Sequence, residues 1–94
     1  MTDEKRASLR KKAMALPLRP GVYLRKNARG VIIYVGKAKA LKNRVSQYFG
    51  SPRNHSPKVR QMVNLVEDFD YILADSEFEA LVMECSLIKQ YAPK

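Results

Sequence analysis

The chain has 94 residues, 46% of them apolar, so it can bury one modest core, and we expect a single domain over residues 1–94. One cysteine excludes an internal disulfide, and the absence of any apolar run long enough to span a bilayer argues against membrane insertion, so we expect a reducing, cytoplasmic setting. The formal net charge of +9 favours a polyanionic partner, nucleic acid first.

The charge is distributed unevenly along the chain. Residues 1–60 carry 16 basic and 2 acidic side chains, whereas residues 61–94 carry 2 basic and 7 acidic ones. This division predicts a phosphate-binding face formed by the first two thirds of the chain. A solvated basic surface without a dedicated ligand is the alternative.

The first predicted element is a peripheral basic helix within residues 1–16. Asp3 and Glu4 suit the positive end of a helix that starts there, and Pro17 ends it. The apolar stripe of this helix is thin, which predicts a surface helix packed on a larger body. Contact with DNA is its alternative role.

A β-hairpin is predicted next. Residues 21–25 alternate like a strand, residues 27–30 supply turn residues, and residues 31–35 are rich in β-branched side chains. If residues 27–30 form the loop, Tyr23 lies opposite Tyr34. One sheet face then begins with tyrosines, and the other is a core face made of Val22, Leu24, Ile33 and Val35.

The remaining elements complete an α+β pattern. Residues 41–49 have helical spacing, with Arg44 and Tyr48 one turn apart beside the apolar stripe. A helix from Ser56, a strand near residues 69–74 and a last helix over residues 77–90 follow. The sequence therefore predicts a small sheet flanked by helices.

The last predicted helix contains one conspicuous carboxylate. This helix is apolar nearly all round, which predicts that it is buried, and Glu84 shares a face with Leu81 and Ile88. A carboxylate held there needs a cation, hydrogen bonds or protonation to offset the cost of desolvation. Glu84 is therefore either a rim residue that reaches water or an arginine, or a metal ligand.

Six side chains from different elements are candidates for a phosphodiesterase site on the polar face of the sheet: Tyr23, Tyr34, Lys37, Arg44, Tyr48 and Glu84. Phosphodiester hydrolysis needs an activated water, neutralisation of charge on the phosphoryl oxygens, and help for the leaving alkoxide. A tyrosine, an arginine and a metal could supply these. One carboxylate suffices for Mg²⁺ or Mn²⁺, because such ions keep several waters and take further ligands from substrate.

An ordered set of short phrases over residues 16–94 resembles the GIY-YIG nuclease family, and within it the N-terminal endonuclease domains of the UvrC branch. The phrases are Gly21-Val22-Tyr23-Leu24, Ile33-Tyr34-Val35-Gly36-Lys37-Ala38-Lys39, Leu41-Lys42-Asn43-Arg44-Val45, Glu79-Ala80-Leu81 and Leu87-Ile88-Lys89. The resemblance implies a three-stranded, largely antiparallel sheet wrapped by helices. It also implies divalent-metal-dependent DNA incision 3′ to a lesion in bacterial nucleotide excision repair.

The same resemblance implies residue roles. Tyr34 matches the general base that acts on a metal-associated water, Arg44 the residue that stabilises phosphoryl charge, and Glu84 the ligand of one Mg²⁺ or Mn²⁺ ion. A tyrosine acts as a base only if its neighbours lower a reference pKa near 10. Supporting catalytic positions are Tyr23, Lys37 and Tyr48, and the expected DNA contacts are Lys37, Lys39, Lys42 and Arg44.

The implied partners are damaged double-stranded DNA and, through parts of a longer protein, UvrB and the UvrA pathway. Family members usually continue past the position of Pro93-Lys94 into a Tyr-Asn pair whose asparagine belongs to the active site, so we expect one domain of a longer protein. Two alternatives stay open. One is a related Cho-like or structure-specific endonuclease, and the other is a basic DNA-binding module that is inactive in isolation.

Overall fold

The computed structural model describes residues 2–50 and 56–92. The three strands form one antiparallel sheet in the order β2-β1-β3, with helices on both faces, so the predicted α+β fold is confirmed. In the described part of the chain, no helix has both the length and the apolar character needed to cross a membrane. The elements in chain order are α1 (Asp3–Met14), β1 (Gly21–Lys26), β2 (Ile32–Ala38), α2 (Leu41–Tyr48), α3 (Pro57–Asn64), β3 (Asp68–Leu73) and α4 (Glu77–Tyr91).

Side-chain caps begin the first and last helices. The Thr2 side-chain oxygen accepts a hydrogen bond from the backbone N–H of Lys5 at 3.1 Å, and the Ser76 hydroxyl accepts one from Glu79 at 3.1 Å. Each cap satisfies a backbone donor that the helix itself leaves unpaired. Local sequence therefore fixes where α1 and α4 begin.

The hairpin register differs from the predicted one. Tyr23 lies opposite Gly36 rather than Tyr34, and Tyr34 lies opposite Arg25. The cause is the loop, because the Asn27 side chain accepts hydrogen bonds from the N–H groups of Arg29 and Val31 and so closes a loop longer than the predicted one. A further register shift between Arg25 and Lys26 moves the strands by one more residue.

Both sheet faces are covered, which corrects the prediction of one core face and one polar tyrosine face. Tyr23 is only 1% exposed and belongs to the larger core, beneath α1 and α2. The opposite core lies under α4 and contains Val22, Leu24 and Val35, as predicted. Ile33 packs against the tyrosine-side core instead, and Ile32 takes its place under α4.

The prediction that the last helix is buried is wrong. Ala80 is the only α4 side chain that is fully buried, while Phe78 is 75% and Val82 is 49% exposed. A lone helix on this face of the sheet contacts the strands with one side, through Ala80, Met83 and Leu87. Its second apolar side has no covering layer within residues 2–50 and 56–92.

Candidate functional site

Three tyrosines from three elements form a tyrosine cluster, defined as Tyr23, Tyr34 and Tyr48. The ring centroids of Tyr23 and Tyr34 are 5.8 Å apart, and those of Tyr23 and Tyr48 are 6.0 Å apart. The hydroxyl oxygens of Tyr23 and Tyr48 are 3.2 Å apart. The strand register places Tyr23 and Tyr34 as diagonal neighbours on one sheet face, and the end of α2 brings Tyr48 above them.

Gly36 makes this arrangement possible. A Cβ atom at this position would lie 2.6 Å from both Cζ and Oη of Tyr23 and 2.7 Å from Cε1 of Tyr34. The Tyr23 ring therefore crosses β2 over a residue without a side chain. The glycine after Tyr34 and Val35 is thus a packing requirement of the tyrosine cluster.

We expect Gly36→Ala to lower the free energy of unfolding by about 1–3 kcal/mol, because the added methyl group must displace two packed rings. Urea denaturation of the domain measures the change, and near-ultraviolet circular dichroism reports whether the tyrosines move. Gly50→Ala is the matched control, since its Cβ would have no neighbour closer than 3.5 Å among the residues that the structure describes. Equal stability of the two variants would contradict the proposed packing role of Gly36.

The hydroxyl groups of Tyr23 and Tyr48 bond to each other, and either can be the donor. Burial, followed by the hydrogen bond to Tyr48, raises the pKa of Tyr23, so Tyr23 keeps its proton. Burial also opposes ionisation of Tyr48, but the bond to Tyr23 and the charges of Arg25 and Arg44 outweigh it and lower the pKa of Tyr48. Interaction with the Tyr23 hydroxyl raises the pKa of Arg44, which stays a cation.

Glu84 lies at the edge of β2. Its Oε2 atom accepts a hydrogen bond of 2.8 Å from the backbone N–H of Lys37. That N–H group is available because β2 is an edge strand with β1 on one side only. Glu84 is half-buried, and no ion pair to it occurs within the described part of the chain.

The six candidate residues do not share one polar face. Tyr23, Tyr34, Arg44 and Tyr48 belong to the side of the sheet that α2 covers, whereas Glu84 comes from α4 on the opposite side. Lys37 connects the two sets at the β2 edge, because its backbone N–H binds Glu84 and it lies on the same strand as Tyr34. The candidate residues are therefore divided between the two sides of the sheet at its β2 edge, whereas the prediction placed all six on one polar face.

An open cleft of about 370 Å³ lies beside this edge, between the end of β2 and α2. Three of the four expected DNA contacts, Lys37, Lys39 and Arg44, line it. Lys42 does not line it; this side chain is half-buried and its backbone N–H donates to the Pro17 carbonyl at 3.3 Å. The other lining residues are Ala38, Ala40, Asn43 and Gln47.

Arg25 is a further residue of this region that the sequence interpretation missed. It is 2% exposed, and its guanidinium carbon lies 3.7 Å from the Tyr48 ring centroid, 4.3 Å from that of Tyr34 and 5.4 Å from that of Tyr23. The signal was present in the strand alternation, which puts residues 23 and 25 on the same face. Its significance depends on a register that brings Tyr34 opposite Arg25.

Comparison with known proteins gives a consistent set of similarities. Residues 19–94 match the family model of the UvrC-like GIY-YIG domain. The chain is 65% identical over 79 residues to UvrABC system protein C of Clostridium beijerinckii, and 59% identical over 86 residues to that of Caldanaerobacter subterraneus. These matches cover 84% and 92% of the chain but only 13% and 14% of the relatives, so the chain spans about an eighth of their length.

Solved structures give the same result. The crystal structure of the GIY-YIG N-terminal endonuclease domain of UvrC from Thermotoga maritima, bound to its catalytic divalent cation magnesium, superposes with a TM-score of 0.81. The two are 40% identical, and the match covers 93% of each chain. A tyrosine-to-phenylalanine point mutant of that domain, also bound to its catalytic divalent cation, has the same TM-score at 39% identity.

Proposed function

The chain belongs to the GIY-YIG nuclease family as a UvrC-like GIY-YIG domain, and on this basis we propose that it is the endonuclease domain of a longer excision-repair protein. Its proposed reaction is metal-dependent hydrolysis of a DNA phosphodiester bond 3′ to a lesion. The observation that carries the proposal is the arrangement around the β2 edge, where the Lys37 backbone binds a half-buried Glu84 and Lys37 lines one cleft with Arg44, which interacts with the tyrosine cluster.

Glu84 fits the role of a ligand for one divalent ion. Lys37 orients one carboxylate oxygen, and the other oxygen and the remaining lone pairs stay available. The described residues contain no cluster of three or more His, Cys, Asp or Glu side chains, which suits Mg²⁺ or Mn²⁺ coordinated largely by water and substrate oxygens. When bound, the ion would activate a water and neutralise phosphoryl charge.

The protein's own groups account for the rest of the proposed chemistry. Arg44 lines the cleft as a permanent cation and would bind the phosphoryl oxygens as their charge grows. Tyr34, in its ionised form, would accept a proton from the attacking water, whose oxygen bonds to phosphorus as the bond to the leaving alkoxide breaks; the alkoxide would take up a proton from solvent water. Tyr23 and Tyr48 would hold these groups in place through their hydroxyl pair.

The proposed substrate is damaged double-stranded DNA, with Lys37 and Lys39 contacting its backbone from the cleft. Because the relatives are components of the UvrABC system, we propose that UvrB, and UvrA upstream of it, act with parts of the longer protein outside residues 1–94. This role would place the protein in the bacterial cytoplasm.

The test of this function is incision by the longer protein on a labelled duplex with one lesion and preloaded UvrB. We expect a single cut 3′ to the lesion in Mg²⁺ that stops on chelation and returns when Mg²⁺ is restored. Cutting of branched DNA without UvrB would instead support the structure-specific or Cho-like alternative. Binding without any cut would support the DNA-binding module.

Binding of the isolated domain to DNA should weaken steeply with salt, because its cleft contacts are with phosphates. If Lys37, Lys39 and Arg44 each neutralise one phosphate, the slope of log K against log salt is about −3. Lys39→Gln should reduce the slope by about one, as measured by fluorescence anisotropy at several salt concentrations. Arg29→Gln, in the hairpin loop at the other end of β2, is the control with the same charge change and should leave the slope intact.

A further inference from the structure

Arg25 is a buried cation whose terminal guanidinium nitrogens lack partners among the described residues. Neither Nη1 nor Nη2 has a hydrogen-bond partner in the described residues, and both atoms are shielded from solvent. Buried arginines ordinarily pair with carboxylates or carbonyl groups, because an unpaired charge in a protein interior is strongly destabilising. An ordinary packing role would be served better by an apolar side chain of similar length.

The surroundings of Arg25 are aromatic. Its guanidinium lies against the rings of all three members of the tyrosine cluster and is closest to Tyr48, at 3.7 Å from the ring centroid. Aromatic faces attract a cation, but this attraction is weaker than an ion pair. A phenolate in the cluster would provide the missing negative charge.

We propose that Arg25 is a positioning residue that packs against the tyrosine cluster and stabilises a phenolate on Tyr48. The inference rests on the proposed function and extends it, because it assigns to this site a second positive charge, the buried guanidinium of Arg25, in addition to that of Arg44. It gives the cluster a residue that can carry negative charge, Tyr48, against the same guanidinium as the proposed general base, Tyr34.

The groups facing Tyr48 support this assignment from each neighbouring element. The hydroxyl oxygen of Tyr23 on β1 lies 3.2 Å from that of Tyr48 in a hydrogen bond, and burial keeps Tyr23 itself neutral by raising its pKa. Arg25 on β1 and Arg44 on α2 both contribute positive charge that lowers the pKa of Tyr48. Tyr34 on β2 stacks on Tyr23 from the other side.

The test is a spectrophotometric titration of tyrosine ionisation in the isolated domain. In the wild type we expect one early ionisation, which Tyr48→Phe removes. Arg25→Met should move this ionisation upward by about 1–3 pH units, since an opposite charge at 4–6 Å shifts a pKa by that amount. Arg25→Lys should restore part of the shift, and Arg29→Met, an exposed arginine in the hairpin loop, should leave the titration unchanged.

Urea denaturation separates this role from a purely structural one. Replacing an unpaired buried charge by an apolar side chain should leave the stability of Arg25→Met equal or higher, whereas a structural role predicts a loss. Arg25→Leu is a second neutral variant in case the methionine variant does not fold. An unchanged early ionisation in a folded neutral variant overturns the proposal, as does its persistence in Tyr48→Phe.

In the longer protein, the neutral variants should show an incision pH profile displaced to higher pH by a similar amount. A wild-type protein that makes no cut would refute the proposed nuclease function while leaving the titration result in place. A normal cut with an undisplaced profile would refute the role of Arg25 in the reaction while leaving the nuclease function in place. The two failures are therefore distinguishable.

Discussion

Glu84→Gln should reduce the rate of 3′ incision by about 10³-fold or more, because removal of the proposed metal ligand forfeits several kcal/mol of transition-state stabilisation. Glutamine is the informative replacement, since its amide oxygen can still accept the hydrogen bond from the Lys37 backbone while its charge is lost. We therefore expect the folded structure to persist without the activity. Single-turnover incision by the UvrB-loaded protein measures the loss.

The control for this variant is Glu79→Gln, which removes a carboxylate from the first turn of the same helix, α4. It should retain nearly full incision and lose only a few tenths of a kcal/mol of stability through the helix dipole. Calorimetric titration of each domain with Mn²⁺ adds a readout independent of cutting, in which Glu84→Gln alone should lose binding. Undiminished incision by Glu84→Gln would end the assignment of Glu84 as the metal ligand.

Arg44→Ala should slow incision by about 10²–10³-fold at saturating DNA, because it removes the cation that we propose binds the developing phosphoryl charge. Arg44→Lys should recover only part of the rate, since an ammonium group is a point charge without the planar fork of a guanidinium. Rates at saturation separate this effect from weaker DNA binding.

Lys42→Ala is the matched control on α2. Its side chain is half-buried and lies outside the cleft lining, so we expect a much smaller effect on the incision rate. If Lys42→Ala were as defective as Arg44→Ala, the loss would reflect the general charge of α2 rather than a specific role of Arg44.

Local chemistry explains which parts of the fold could be predicted. The elements follow from periodicity and caps, as at Ser76, where the hydroxyl accepts the Glu79 N–H. The hairpin register could not be read in this way, because it depends on the hydrogen bonds that the Asn27 side chain accepts and on the shift after Arg25, neither of which strand alternation encodes. The exposure of α4 could not be predicted either, because its apolar composition does not reveal whether a further layer of structure covers its outer side.

The candidate site also has features that the sequence could predict and features that it could not. The residue types were legible in the sequence, and the structure brings Tyr23, Tyr34 and Tyr48 into contact. Their relation to Glu84 could not be predicted, because it depends on β2 being an edge strand. Arg25 was overlooked because a buried arginine beside tyrosines is evident only once the register is known.

The hydrogen bond from the Lys37 backbone to Glu84 also opposes strand pairing between molecules at the β2 edge. An edge strand with free N–H groups is a template on which a strand from another chain can assemble, and this is a common route to aggregation. A foreign strand cannot pair along the whole of β2 without displacing the Glu84 carboxylate from that N–H. The carboxylate of Glu84, the proposed metal ligand, therefore also blocks strand addition at the β2 edge. We expect removal of its side chain to lower the solubility of the protein as well as its activity.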